Sequence, residues 1–221
     1  QKVIEVKNLT KRYGDHLALD DISFTVGDGE IVGFLGPNGA GKSTLVKLLL
    51  RFYDAQQGEI LYNGINVKEY DMDSLRKRIG TVFQDYKVFA LSVNENVLCR
   101  ECENEQDRAH AEYALKKSGV FDKIRTLDNG ADTVLTREFD DKGTNLSGGE
   151  GQKIAIARVF AKPFELIIMD EPSSALDPIA EAAVYENFNV PVEDKTAVFI
   201  SHRLSSCRFC DNIAVFDHGE L

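Results

Sequence analysis

Residues 36–44 constrain this chain more than any other stretch: Gly36-Pro37-Asn38-Gly39-Ala40-Gly41-Lys42-Ser43-Thr44. The spacing is Gly-x-x-x-x-Gly-Lys-Ser. An apolar segment, Glu30 to Leu35, runs straight into it. Lys42 to Phe52 follows as a predicted helix, with Leu45, Leu48 and Leu49 on one face. Strand, glycine loop and helix are the context in which this pattern cradles phosphate. The glycines let backbone N–H groups approach an anion closely. The helix N-terminus adds a favourable dipole. Lys42 can reach β- and γ-phosphates, and Ser43 can ligate Mg²⁺. A plain glycine turn needs neither the lysine nor the hydroxyl in those places.

The surrounding pattern reads as α/β. Val3 to Leu9 alternates apolar and charged residues, as a half-buried strand does. Ile22 to Val26 is a second strand. Glu59 to Tyr62, followed by Asn63-Gly64, predicts a strand and a hairpin turn. Ile79 to Phe83 is another strand. From Ser92 to Gly119 the pattern is helical, with helix formers dense over 105–117. Residues 120–145 are looser and charged. A helix is predicted from Ser147 to Ala161. Leu166 to Met169 is a continuous apolar run, as in a parallel strand buried on both faces. A helix at about 178–188, a strand over Thr196 to Ile200, a helix at about 203–208 and a strand over Ile213 to Phe216 complete the alternation. Such alternation implies a parallel sheet covered by helices.

Polar residues at strand ends are the next candidates, because α/β sheets bind ligands there. Asp170 ends the apolar strand, where it can hold Mg²⁺ directly or through water. Glu171, one residue on, can orient and activate a water. Gln84 and His202 each sit just past a predicted strand.

Composition removes other classes. The net charge of −10 lacks the basic footprint of a nucleic-acid binder. No apolar run approaches the roughly 18 residues of a membrane span, and residues 1–15 mix charged and apolar side chains, unlike a signal peptide. The chain as given is expected to be soluble and intracellular. Its four cysteines form two C-x-x-C pairs, Cys99/Cys102 and Cys207/Cys210. The pairs stand too far apart for a zinc ribbon and have no flanking histidine, so free, partly buried thiols are expected.

A second glycine loop follows much later, in Leu146-Ser147-Gly148-Gly149-Glu150. It has no lysine. Out of context Ser147 reads as a helix N-cap followed by two permissive glycines.

These pieces, in this order, resemble the nucleotide-binding domain of ABC transporters over nearly the whole chain. The likeness rests on the first loop, Gln84, Leu146 to Glu150, Met169-Asp-Glu-Pro172, Ser174-Ala-Leu-Asp177 and Ile200-Ser-His-Arg203. It implies an α/β fold: a P-loop NTPase core with a mostly parallel sheet, an antiparallel β subdomain and an inserted α-helical lobe carrying the second loop. The core would comprise 1–85 and 162–221, the lobe 86–161. Tyr13 would stack on adenine. Gly36, Asn38, Gly39, Ala40, Gly41, Lys42, Ser43 and Thr44 would hold ATP. Ser43, Gln84 and Asp170 would serve Mg²⁺. Glu171 would be the general base, and His202 would contact the γ-phosphate, with Lys42 and Gln84 completing the catalytic set. Ser147, Gly148, Gly149, Glu150 and Asp177 would act on ATP held by a second nucleotide-binding domain, in a homodimer or heterodimer.

Thr136-Arg-Glu-Phe-Asp140, Phe89 to Asn96 and Ser201-His-Arg-Leu204 are closer to exporters than to importers. Transmembrane domains would be contacted near Gln84 and over Arg137 to Asp140. The resemblance thus implies a Mg²⁺-dependent ATPase domain that powers export from the cytoplasmic face of a membrane, cut as a soluble fragment from a larger protein. A soluble ABC-type ATPase would usually show tandem domains, a long coiled coil or a basic surface, none of which appears. A regulatory nucleotide-binding module would not need Glu171 and His202. Position 150 departs from the family, whose commonest residue there is Gln. Near a γ-phosphate a carboxylate repels unless it points away or is neutralised, and Lys153 is the candidate for neutralising it.

Overall fold

The computed structural model describes residues 2–139, 141, 143–171 and 196–221, with the side chains of Ser205 and Ser206 excepted. Asp177 and the helix expected at about 178–188 lie outside the described residues. Residues 2–81, 164–171 and 196–221 form one compact unit, and residues 82–163 form another.

The first unit begins with two long strands, β1 (Lys2–Tyr13) and β2 (His16–Gly27), each longer than the alternation predicts. Register shifts, as between Val6 and Leu9, break the period of two and hide the strands' full extent from a pattern reading. After β3 (Ile31–Leu35) and α1 (Lys42–Leu49), β4 (Gln57–Tyr62) turns into β5 (Ile65–Asn66). Asn63 and Gly64 take φ of 49° and 79°, the two positive values that a tight hairpin matched to strand twist requires. Strands β2-β1-β4-β5 make an antiparallel sheet. Helix α1 stops short of Phe52, because Leu50 caps it and Arg51 turns left-handed at φ 51°.

Helix α2 (Met72–Arg78) was not legible as periodicity. Its termini are nonetheless ordinary: Asp71 accepts from the Ser74 N–H at 2.9 Å, and three basic residues fill its last turn. The remaining strands are β6 (Ile79–Val82), β7 (Leu166–Asp170), β8 (Thr196–Ser201) and β9 (Asn212–Val215). The second sheet has the order β6-β7-β8-β3-β9. β3 pairs in parallel with β8 and β9, and β7 with β8. Every residue of β7 and β8 is buried, which explains their unbroken apolar runs. In place of the helix expected at about 203–208 there is one 3₁₀ turn, Leu204–Cys207. The Cys210 N–H closes the following turn onto the Cys207 carbonyl, so the chain re-enters the sheet at Asn212 before an α-helix could propagate.

The second unit is helical: α3 (Val93–Leu98), α4 (Glu105–Lys117), α5 (Phe121–Arg125) and α6 (Gly148–Phe160). α4 has the bounds of its helix-forming stretch. The short α5 falls inside the segment read as loose. Val93, Val97, Ala111, Ala114, Leu115, Ile124, Ile154 and Ala157 share one buried core. A fully buried Leu or Ile here stabilises by roughly 1.5–3 kcal/mol, which offsets the weak intrinsic stability of helices this short.

Candidate functional site

The parallel register brings distant residues to one edge of the sheet. Leu35 lies opposite Ser201, and Asp170 opposite Ile200, so β3, β7 and β8 end together. Gly36, Glu171 and His202 are the next residues on these three strands.

The first loop is shaped by its glycines. A Cβ on Gly36 would lie 2.3 Å from the Phe216 carbonyl oxygen. Gly41, the N-cap of α1, has φ 102°, and a Cβ there would meet the Ala18 carbonyl at 2.4 Å. Both contacts exclude any side chain, and the second is compounded by a φ that L-residues rarely adopt. No side chain caps α1. Lys42 is buried and donates from Nζ to the carbonyls of Gly36 (2.5 Å) and Pro37 (2.8 Å), across the loop's own mouth. Burial pulls its ammonium below the usual lysine range, and the charges of Glu171 and Asp170 offset this only partly. Asn38 and Gly39 are exposed, Ala40 is buried and Thr44 is half-buried.

The Ser43 hydroxyl lies near the Asp170 carboxylate and favours its ionised form. Asp170 is itself buried, and burial raises its carboxyl above the usual range despite Ser43 and the lysines nearby. Its Oδ1 is a buried acceptor with no hydrogen-bond partner. Such an oxygen is costly unless something satisfies it. A hard divalent cation takes oxygen ligands, and the Ser43 hydroxyl with the Asp170 carboxylate is a donor set that fits Mg²⁺.

Glu171 is buried, with φ 50°, an uncommon conformation for a non-glycine residue. Its N–H donates to the Ile200 carbonyl at 3.0 Å, tying the turn to β8. Its Oε1 lies 3.1 Å from Nδ1 of the more exposed His202. Neighbouring parallel strands thus bring Glu171 and His202 into contact. Tyr13, at the end of β1, is exposed and sits edge-to-face with Tyr53 at 5.7 Å, with Lys11 Nζ 5.2 Å from its ring. Gln84 is exposed in the turn just beyond β6.

The second loop, in the helical unit, is built differently. Ser147 caps α6, and its Oγ accepts from the Glu150 N–H at 3.3 Å. Glu150 Oε2 accepts in return from the Ser147 N–H at 2.8 Å, which completes a capping box. Glu150 Oε1 is 3.6 Å from Lys123 Nζ on α5. Burial pushes the Glu150 carboxyl up, but hydrogen bonds from Ser147 and the Lys123 charge outweigh it and hold the group below the usual range. The expected partner Lys153 is not the one found. Its Nζ donates to the Gly119 carbonyl at 3.2 Å instead. Tyr86 was also not singled out by sequence. Its hydroxyl donates to the Gly148 carbonyl at 2.5 Å, and its ring lies against Gly151. No spacing rule signals Tyr86 or Lys123, because both reach the loop through tertiary packing.

In the segment Arg137 to Asp140, Arg137 Nε donates to the Gly143 carbonyl and Phe139 is 88% exposed, while Asp140 lies outside the described residues. Cys207 is buried and Cys210 half-buried, both with their sulfurs against Gly33, while Cys99 is exposed and Cys102 half-buried. Among the described residues, no helix is long and apolar enough to cross a membrane.

Comparison with known proteins places this geometry. The profile of the ABC transporter family matches residues 19–174. The chain is 42% identical over 209 residues to the subtilin transport ATP-binding protein SpaT of Bacillus subtilis, covering 92% of this chain and 33% of SpaT. It is 37% identical over 220 residues to an ATP-dependent lipid A-core flippase of Haemophilus influenzae, covering 99% of this chain and 37% of the flippase. A solved structure of a bacterial Atm1-family ABC exporter with ATP bound superposes with a TM-score of 0.89 at 35% identity, over 99% of this chain and 37% of that one. The chain therefore spans about a third of the length of the curated relatives it matches.

Proposed function

Because the chain belongs to the ABC transporter family, we propose that it is the ATP-binding and ATP-hydrolysing domain of an exporter, acting at the cytoplasmic face of a membrane. One observation carries the reading: Lys42, Ser43, Asp170, Glu171 and His202 converge on one edge of a parallel sheet. The names of the relatives, a flippase and an ABC exporter among them, support export.

The reaction is ATP + H₂O → ADP + phosphate. The α1 N-terminus and the loop amides hold the phosphates, and Lys42 exchanges its carbonyl partners for phosphate oxygens. Ser43 and Asp170 would hold Mg²⁺, with Gln84 as a further proposed ligand, and the ion would supply charge neutralisation at the phosphates. Glu171 orients the attacking water and takes its proton. His202, in contact with Glu171, holds that carboxylate in place and faces the γ-phosphate. Tyr13 offers its exposed ring to the adenine. Catalysis is then mainly positioning and charge stabilisation. Ser147, Gly148, Gly149 and Asp177 of a second such domain complete the site from the other side. Closure of two domains over ATP moves transmembrane domains that dock near Gln84 and Arg137 to Asp140.

Glu171→Gln tests the central assignment. Steady-state turnover is expected to fall by about 10²-fold or more, the worth of a general base, while ATP binding persists. Near-normal hydrolysis by that variant would remove Glu171 from the role. In the parent, a rate per molecule that rises with protein concentration indicates an active dimer, and a flat, near-zero rate speaks against one.

A further inference from the structure

The unusual carboxylate at position 150 has a built-in counterion, and it comes from a helix that the family motifs do not include. Glu150 occupies the third position of α6, and its side chain folds back over the helix mouth to take the Ser147 N–H. That places a negative charge beside the Ser147 hydroxyl. A phosphate brought to Ser147 would meet it within a few ångströms, well inside the roughly 8 Å screening length of physiological salt. The second oxygen of the same carboxylate faces Lys123 Nζ at 3.6 Å. The other lysine near this helix, Lys153, is turned away onto the Gly119 carbonyl.

We infer that Lys123 is a positioning residue of the second loop: it neutralises Glu150 so that a helix mouth carrying a carboxylate can close on the γ-phosphate of ATP held by a second copy. The inference rests on the two-copy reading above. A Gln at position 150 would accept the same Ser147 N–H without the charge. Lys123 is thus needed because of Glu150 and has no such task where Gln stands. Lys123 does not touch nucleotide itself. It acts through Glu150, and through the hold that α5 thereby takes on the start of α6.

The test uses the Glu171→Gln chain, which keeps ATP unhydrolysed, and measures its ATP-dependent dimerisation by analytical ultracentrifugation. A symmetric dimer contains the pair twice. Lys123→Met is therefore expected to weaken the dimer by about four- to twenty-five-fold, from about two- to fivefold per partly exposed ion pair. The deficit should shrink as salt rises, and Lys123→Arg should restore the parent value. In a Glu150→Gln background, Lys123→Met should cause no further loss. Equal losses in both backgrounds, or a deficit indifferent to salt, would mean that Lys123 only props up the fold and would overturn the inference. So would no loss at all with Glu150 present. Lys123→Gln, shorter and polar, repeats the measurement should the methionine variant melt early. Failure of the Glu171→Gln parent to dimerise with ATP would sink the two-copy reading, and this inference with it.

Discussion

The two glycine loops open helices in opposite ways. At the first, Gly41 caps α1 with no side-chain acceptor, leaving the helix N–H groups for an external anion, with a buried lysine across the mouth. At the second, Ser147 and Glu150 satisfy each other's N–H groups. The first is built to take an anion, because no side chain occupies the N–H groups that open α1 and its cation is buried. The second has already used two donors internally and presents chiefly a hydroxyl and two small residues. Likeness of sequence therefore conceals a difference in kind: on the proposed function, one loop is a receptor and the other a surface that completes a receptor elsewhere. The acids beside them differ likewise. Burial raises Asp170, whereas hydrogen bonds and Lys123 hold Glu150 down against burial.

Lys42→Ala should separate the loops most strongly. ATP binding should collapse and hydrolysis fall by about 10²- to 10³-fold, the scale of losing a preorganised charge contact. A fluorescent nucleotide titration checks the binding, and retention of parent affinity would deny the first loop its receptor role. Ser147→Ala should be milder and different in type. Turnover should drop by about ten- to hundredfold, as for one hydrogen bond to a charged group, while single chains still bind ATP. Loss of the cap should also cost about 1 kcal/mol in stability. If this variant lost binding as Lys42→Ala does, the contrast between the loops would break.

The smallest effect is in pH dependence. A carboxyl raised by folding contributes stability below its unfolded pKa of about 3.9, and that contribution is lost as pH rises through the folded value. Asp170 is such a group, so its ionised form is a burden at neutral pH. Asp170→Asn should melt modestly higher than the parent at pH 7, and the gap should close as pH falls toward 4. Glu150 is lowered, so its contribution is present above the unfolded range and lost as pH falls through the folded value. Melting curves of Asp170→Asn and Glu150→Gln across pH should thus move apart from their parent in opposite senses. Parallel curves would mean that the two acids share one environment.

Much of this was legible beforehand where the cause is local. The unbroken run Leu166 to Met169 announces a strand buried on both faces, and β7 is one. Asn63-Gly64 announces its hairpin through backbone freedom alone. The dense helix formers of 105–117 coincide with α4. Less was legible where packing overrides pattern. The bulges in β1 and β2 obscure their alternation, and α2 and α5 are too short for a period of 3.6 to declare itself. The 3₁₀ turn at Leu204–Cys207 replaced a helix because the following strand begins too soon.

Residue chemistry in the linear chain determined what this protein handles. A glycine loop with lysine and serine, and acids at strand ends, need only their neighbours and a sheet to become a phosphate site. Tertiary structure alone decided which groups answer one another. Lys153 is one helical turn from Glu150 and was the natural partner, but its ammonium is taken by the Gly119 carbonyl. Glu150 folds back to Ser147 and meets Lys123 of α5 instead. The same holds for His202 beside Glu171 and Ser43 on Asp170. Each pair joins residues far apart in the chain, and their meeting depends on strand order and rotamer, which spacing does not encode.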